Sequence, residues 1–131
     1  MPDFLSQAWL DAGLKLTGHL RHRRHANAVM QVVVRGTPTG EDVAYFGEVQ
    51  GGKVVSSQLG RTPNPDFTIT VPSYADAVNM AKGMLDAYTA FQNGQIQVSG
   101  DLTAMQSLMP LADTKQFTDI QQALDKVTNY P

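Results

Sequence analysis

Cysteine is absent from the 131 residues, which removes disulfides, zinc thiolate sites and cysteine nucleophiles together and fits a reducing compartment. Charge is sparse: Asp, Glu, Lys and Arg make up 17% of the chain, and ten basic against twelve acidic residues leave a formal net charge of -2. Such a balance supplies no global field to gather a polyanion, so nucleic acid is not expected as a partner. Long apolar runs are missing too. No stretch approaches the roughly 18 apolar residues of a spanning helix. The opening MPDFLSQAWLDAGLKL carries Asp3 and Asp11 where a secretory leader needs a basic start and an unbroken apolar run. The final residues, TNYP, are no peroxisomal tripeptide, and by elimination a bacterial-type cytoplasm is the expected location.

What is there suffices for one core. Hydrophobic residues make up 42% of a chain whose length suits a single domain over residues 1–131. Phe4, Leu5, Ala8, Trp9, Ala12 and Leu16 form one stripe of an amphipathic helix, with Asp3 placed to cap it. After RHRRH at residues 21–25 the periodicity changes. AVMQVVVR reads as a strand ended by Gly36, Pro38 and Gly40, and the segments at 43–50 and 53–59 flank Gly51-Gly52, a two-residue hairpin signal. The proline-rich connection at 61–65 leads to FTITV at 67–71, where Phe67, Ile69 and Val71 alternate with threonines; Ile96 and Val98 repeat that alternation. Between these strands Ser73 caps a helix carrying Tyr74, Ala77, Val78, Ala81, Met84 and Leu85. Asp101 caps another carrying Leu102, Met105, Leu108 and Met109, with Pro110 expected to stop it, and Phe117, Ile120, Leu124 and Val127 mark a closing helix. The expectation is an α+β domain: a mainly antiparallel sheet with helices over one face.

Residues 66–111 resemble the C-terminal half of sterol carrier protein 2 domains. The resemblance is carried by Asp66, Thr68 and Thr70 in an Asp-x-Thr-x-Thr strand, then Lys82-Gly83, Ala90-Phe91, Gly94 and Gly100-Asp101 in order. The opening FLSQAWLDA is similar to that of stand-alone bacterial members. The resemblance implies five strands, helices over one face, and between them an apolar tunnel that takes a sterol, fatty acid, acyl-CoA or phospholipid, with no catalytic residues and no cofactor. Gln95 and Gln97 stand where members commonly carry basic residues, so this strand has no cations with which to steer an anionic headgroup.

A lipid site is mostly apolar, so its wall has to be sought among residues that could equally be core filler. Met80, Met84, Met105 and Met109 fall on the helices expected to roof the core, and an unbranched thioether adapts to irregular ligands. With them we expect Phe91, Ile96, Val98, Leu102, Leu108, Phe46 and Trp9 in the wall. Tyr45 and Glu48 are the candidate polar groups. Glu48 shares a strand face with Ala44 and Phe46, and if that face is inward its carboxyl would have a raised pKa suited to acid-base work; a shift of one residue would turn it to water. An enzyme or accessory factor acting on a hydrophobic intermediate in the same cavity is therefore the alternative. His19, His22 and His25 recur at helical spacing, but Arg21, Arg23 and Arg24 beside them argue against a bound divalent cation, and no metal is expected. Those arginines suit peripheral contact with an anionic membrane.

Overall fold

The computed structural model describes residues 1–17, 27–112 and 115–131, apart from the side chains of 109–112. Its elements run α1 (Gln7–Thr17), β1 (Ala28–Val34), β2 (Val43–Gln50), β3 (Lys53–Leu59), β4 (Phe67–Val71), α2 (Tyr74–Ala81), α3 (Ala87–Gln92), β5 (Gln97–Gly100), α4 (Leu102–Ala112) and α5 (Lys115–Lys126). Local chemistry fixes most of these boundaries. Ser6, not Asp3, caps α1: its hydroxyl accepts from the Trp9 amide at 3.2 Å, while Asp3 holds Ser6 through its carbonyl. Gly51 and Gly52 have φ of 60° and 80°, the paired positive values that a tight hairpin of type I′ needs between β2 and β3. Asp101 caps α4 by accepting from the Thr103 and Ala104 amides at 2.9 and 3.1 Å. Pro110 does not stop that helix, which continues to Ala112 and forgoes the one backbone donor that proline lacks.

The five strands form one sheet in the order β3-β2-β1-β4-β5, with β1 parallel to β4 and every other pair antiparallel. Because β4 lies beside β1 and not beside β3, the 60–66 connection must pass two strands. It crosses the sheet on the face that carries Gln31, whose side-chain oxygen accepts from the Thr62 amide at 2.8 Å and whose nitrogen donates to the Thr68 hydroxyl at 3.2 Å. Asp66 locks the end of the crossing to β1: its carboxylate accepts from the Val29 amide at 2.6 Å and its own amide donates to the Val29 carbonyl at 2.8 Å. The Asp-x-Thr motif thus has a plain structural duty in starting the parallel pair.

Pairing and alternation divide the side chains between two faces. Val32 opposes Tyr45 and Ile69, Val34 opposes Val43 and Val71, and Met30 opposes Gly47 and Phe67; these face the helices. Val29, Gln31, Phe46, Glu48 and Thr68 share the other face. The core sits on the helical side, where Phe4, Leu5, Val32, Val34, Val71, Ala77, Ala90 and Ile96 form one buried cluster. Helix α5 ties the roof together. Leu124 packs at Gly13 of α1, where an added Cβ would lie 3.4 Å from its methyl, and the Gln121 amide donates to the Met80 carbonyl of α2 at 2.6 Å. Among the described residues no helix is long and apolar enough to cross a membrane.

Candidate functional site

Three of the five strands have neighbours on both sides, so a side chain on their helical face is walled in laterally and can be exposed only if the helices above leave a gap. The cover is uneven: Val34 and Val71, paired at one end, are 1% and 3% exposed, and Phe67, paired with Met30 at the other end, is 2% exposed. On the same face Met30, Val43, Tyr45 and Ile69 are only half-buried, although each points at the helical layer. Met30 is flanked on β2 by Gly47, which presents no side chain, and an added Cβ there would find only β3 atoms, Ser56 O at 3.3 Å and Ser57 Oγ at 4.0 Å, among the described residues. From α2, Val78 and Met80 face the same region and are half-buried too. The result is an apolar layer with an incomplete roof, its floor on β1, β2 and β4.

An aromatic group closes one side. Phe4 meets the Trp9 ring edge-on at 4.9 Å and lies 6.0 and 5.3 Å from the rings of Tyr74 and Tyr130; Trp9 in turn meets Tyr45 edge-on at 5.8 Å. Burial pushes the Tyr45 hydroxyl up to about 12. The Tyr130 hydroxyl is also held in its protonated form, by burial first and then by its 2.6 Å hydrogen bond to Asp125. Two hollows are present among the described residues. One of about 130 Å³ lies by the aromatic group, between Leu5, Thr37, Val43 and Tyr74; the other, of about 380 Å³, opens at the strand ends and is lined from both faces of the sheet, by Ala28 and Val49 and by Val29 and Glu48, with Asn27, Gln50 and Asp66.

The residues singled out from sequence are distributed unevenly. Trp9, Tyr45, Met80 and buried Ile96 belong to the layer, Val98 pairs with Ile69 on its floor, and Leu108 packs with Val49 and Val54 in a second small cluster. Met105, one helical turn before Leu108, is half-buried. Met84, Phe91 and Leu102 lie outside it, exposed by 75%, 44% and 49%. For Met84 the reason is a break that helical spacing alone does not reveal. Helix α2 ends at Ala81, Gly83 turns the chain at φ 76°, and Asp86 starts α3 by accepting from the Thr89 amide, so Met84 is not one turn above Met80. Phe46 and Glu48 are on the far face, since the register that sends Tyr45 and Gly47 inward sends them outward; the Glu48 carboxylate accepts from Gln50 at 2.7 Å. Met30, Ile69 and Val78 were missed. Strand parity with Val32 and Val71 could have found the first two. The Met109 side chain, the three histidines and Arg21, Arg23 and Arg24 lie outside the described residues, among which no group of acidic or histidine side chains could hold a metal ion.

Comparison with known proteins agrees with this architecture. The model of the SCP-2 sterol transfer family matches residues 14–113. No curated protein matches the chain in sequence. Among solved structures, a conserved hypothetical protein of Thermus thermophilus, described as possibly a sterol carrier protein, superposes with a TM-score of 0.74 at 18% identity, covering 95% of this chain and 91% of its own. A crystal structure of sterol carrier protein 2 gives 0.73 at 18% identity, with 92% and 98% covered. The palmitated sterol carrier protein 2 like 2 of Aedes aegypti gives 0.63 at 21% identity, with 82% and 94% covered. At these identities the likeness establishes the fold.

Proposed function

Since this chain belongs to the SCP-2 sterol transfer family, we propose that it holds an apolar lipid between its helices and the inner face of its sheet and performs no covalent chemistry on it. The observation that carries this reading is the incomplete burial of Met30, Tyr45 and Ile69 on interior strands beneath the helices. Apolar surface left open in that position is stabilised by about 25 cal/mol per Å² once a lipid covers it. A palmitated relative in the same fold supports an acyl chain as one acceptable occupant. Met80 and Met105 are the adaptable part of the wall. The acid-base alternative draws no support from Glu48, which lies on the opposite face.

Titration with fluorescent fatty acids and sterols tests the reading: saturable, displaceable binding with a dissociation constant near micromolar, about -8 kcal/mol, is expected. Met105→Gln should weaken it by roughly 1 to 3 kcal/mol, the cost of unpaired polar surface in an apolar site. Glu48→Gln should leave it unchanged. Turnover of an apolar substrate that collapses in Glu48→Gln while binding survives would replace this reading with the enzymatic one.

A further inference from the structure

Tyr45 is the one residue of the layer's floor that carries a polar atom. It lies on β2, opposite Val32 on β1 and Leu59 on β3, with Trp9 of α1 edge-on at 5.8 Å, and these described neighbours are all apolar or aromatic. Its hydroxyl makes no hydrogen bond to any described residue. Yet no fully enclosed side-chain oxygen or nitrogen among the described residues lacks a partner. Both statements hold if the Tyr45 oxygen is not sealed by packed atoms but keeps some open space beside it. A hydroxyl drawn out of bulk water and left without a partner is costly, and the cost is relieved by any oxygen brought into that space.

Resting on the lipid-binding reading above, we propose that the Tyr45 hydroxyl is the polar anchor of the ligand and selects lipids whose polar end is a single uncharged oxygen function, a hydroxyl, a carbonyl or a protonated carboxyl. A phenol both donates and accepts, so it can meet any of these. It cannot meet a carboxylate or phosphate well. The described groups set against it, Val32, Leu59 and Trp9, carry no positive charge with which to neutralise an anion placed beside it. An ionised headgroup in this layer would give up its hydration for one neutral donor. The anionic ends of acyl-CoA, phospholipid and ionised fatty acid would therefore have to remain outside in water.

Displacement of a fluorescent sterol by matched pairs tests this. The unmodified protein should bind cholestanol about three- to tenfold more tightly than cholestane, which lacks only the hydroxyl, and should prefer 1-tetradecanol to myristate at pH 8 by at least as much. In Tyr45→Phe the cholestanol preference should vanish while cholestane still binds saturably and at least as tightly, which also shows that the variant is folded and its layer intact. A preference that persists in Tyr45→Phe, or myristate bound as tightly as tetradecanol, overturns the anchor while leaving the carrier reading in place. Absence of saturable binding of any of these lipids by the unmodified protein overturns both.

Discussion

Gly100 has φ of 100°, and a Cβ there would sit 2.7 Å from the Asp66 carbonyl oxygen and 2.9 Å from Phe67 Cα. Neither neighbour is a side chain that can swing away, so Gly100→Ala combines backbone strain with a collision against the β4 edge. We expect a loss of about 2 to 3 kcal/mol by urea denaturation, against about 1 for Gly94→Ala, where φ is 74° and nothing lies within 4 Å. Tyr45 makes a prediction in pH. Its folded pKa near 12 exceeds the unfolded value of 10, and its facing neighbours Val32, Leu59 and Trp9 do not titrate. The folded state therefore keeps the proton longer than the unfolded chain. The stability this contributes is fully present below about pH 10 and is lost as pH rises from 10 towards 12. Denaturation midpoints followed over that window should fall more steeply in the unmodified protein than in Tyr45→Phe. At this scale the sequence named Tyr45 and Glu48 as alternatives, and only the pairing of β2 with β1 decides which of them faces the helices.

Among the elements, the β3 edge is closed by a side chain. Gln7 of α1 donates to the Ser57 carbonyl at 3.0 Å and accepts from the Leu59 amide at 2.9 Å, as a neighbouring strand would. Gln7→Ala should cost about 1 to 2 kcal/mol and accelerate hydrogen exchange at Leu59 selectively, while exchange in β4 follows only the global change. Helix α3 depends on the residue that caps it: with six residues and no charged pair, it leans on the Asp86 carboxylate, which accepts from both the Thr89 amide and its hydroxyl at 3.1 Å. Asp86→Ala should destabilise the protein by about 1 kcal/mol in thermal melts. This helix was not legible beforehand. Met80, Met84 and Leu85 keep a helical period across residues 80–85, and nothing in that period announces that Gly83 takes a positive φ. Strand limits were easier, because Gly51-Gly52, the prolines of 61–65 and Gly100-Asp101 punctuate them chemically.

For the whole molecule, alternation in Phe67-Ile69-Val71 and the valines of β1 sufficed to foresee a sheet with one apolar face and helices on that side. The parallel pairing of β1 with β4 was not foreseeable in the same way, since it depends on how the 60–66 connection crosses the sheet and is held by Gln31 and Asp66 from distant parts of the chain. The incomplete roof is a further step removed: exposure of Met30 and Ile69 follows from where helices end, which no strand pattern encodes. The central claim is that this gap is where a lipid sits. Trp9 is the sole tryptophan and meets Tyr45 at the side of the layer, so it is a built-in donor for energy transfer. Titration with dehydroergosterol should quench Trp9 emission along a saturating curve, with sensitised sterol emission rising in step and reversed by cholestanol. A linear, nonsaturating decrease that cholestanol leaves untouched would contradict a lipid site between the helices and the sheet.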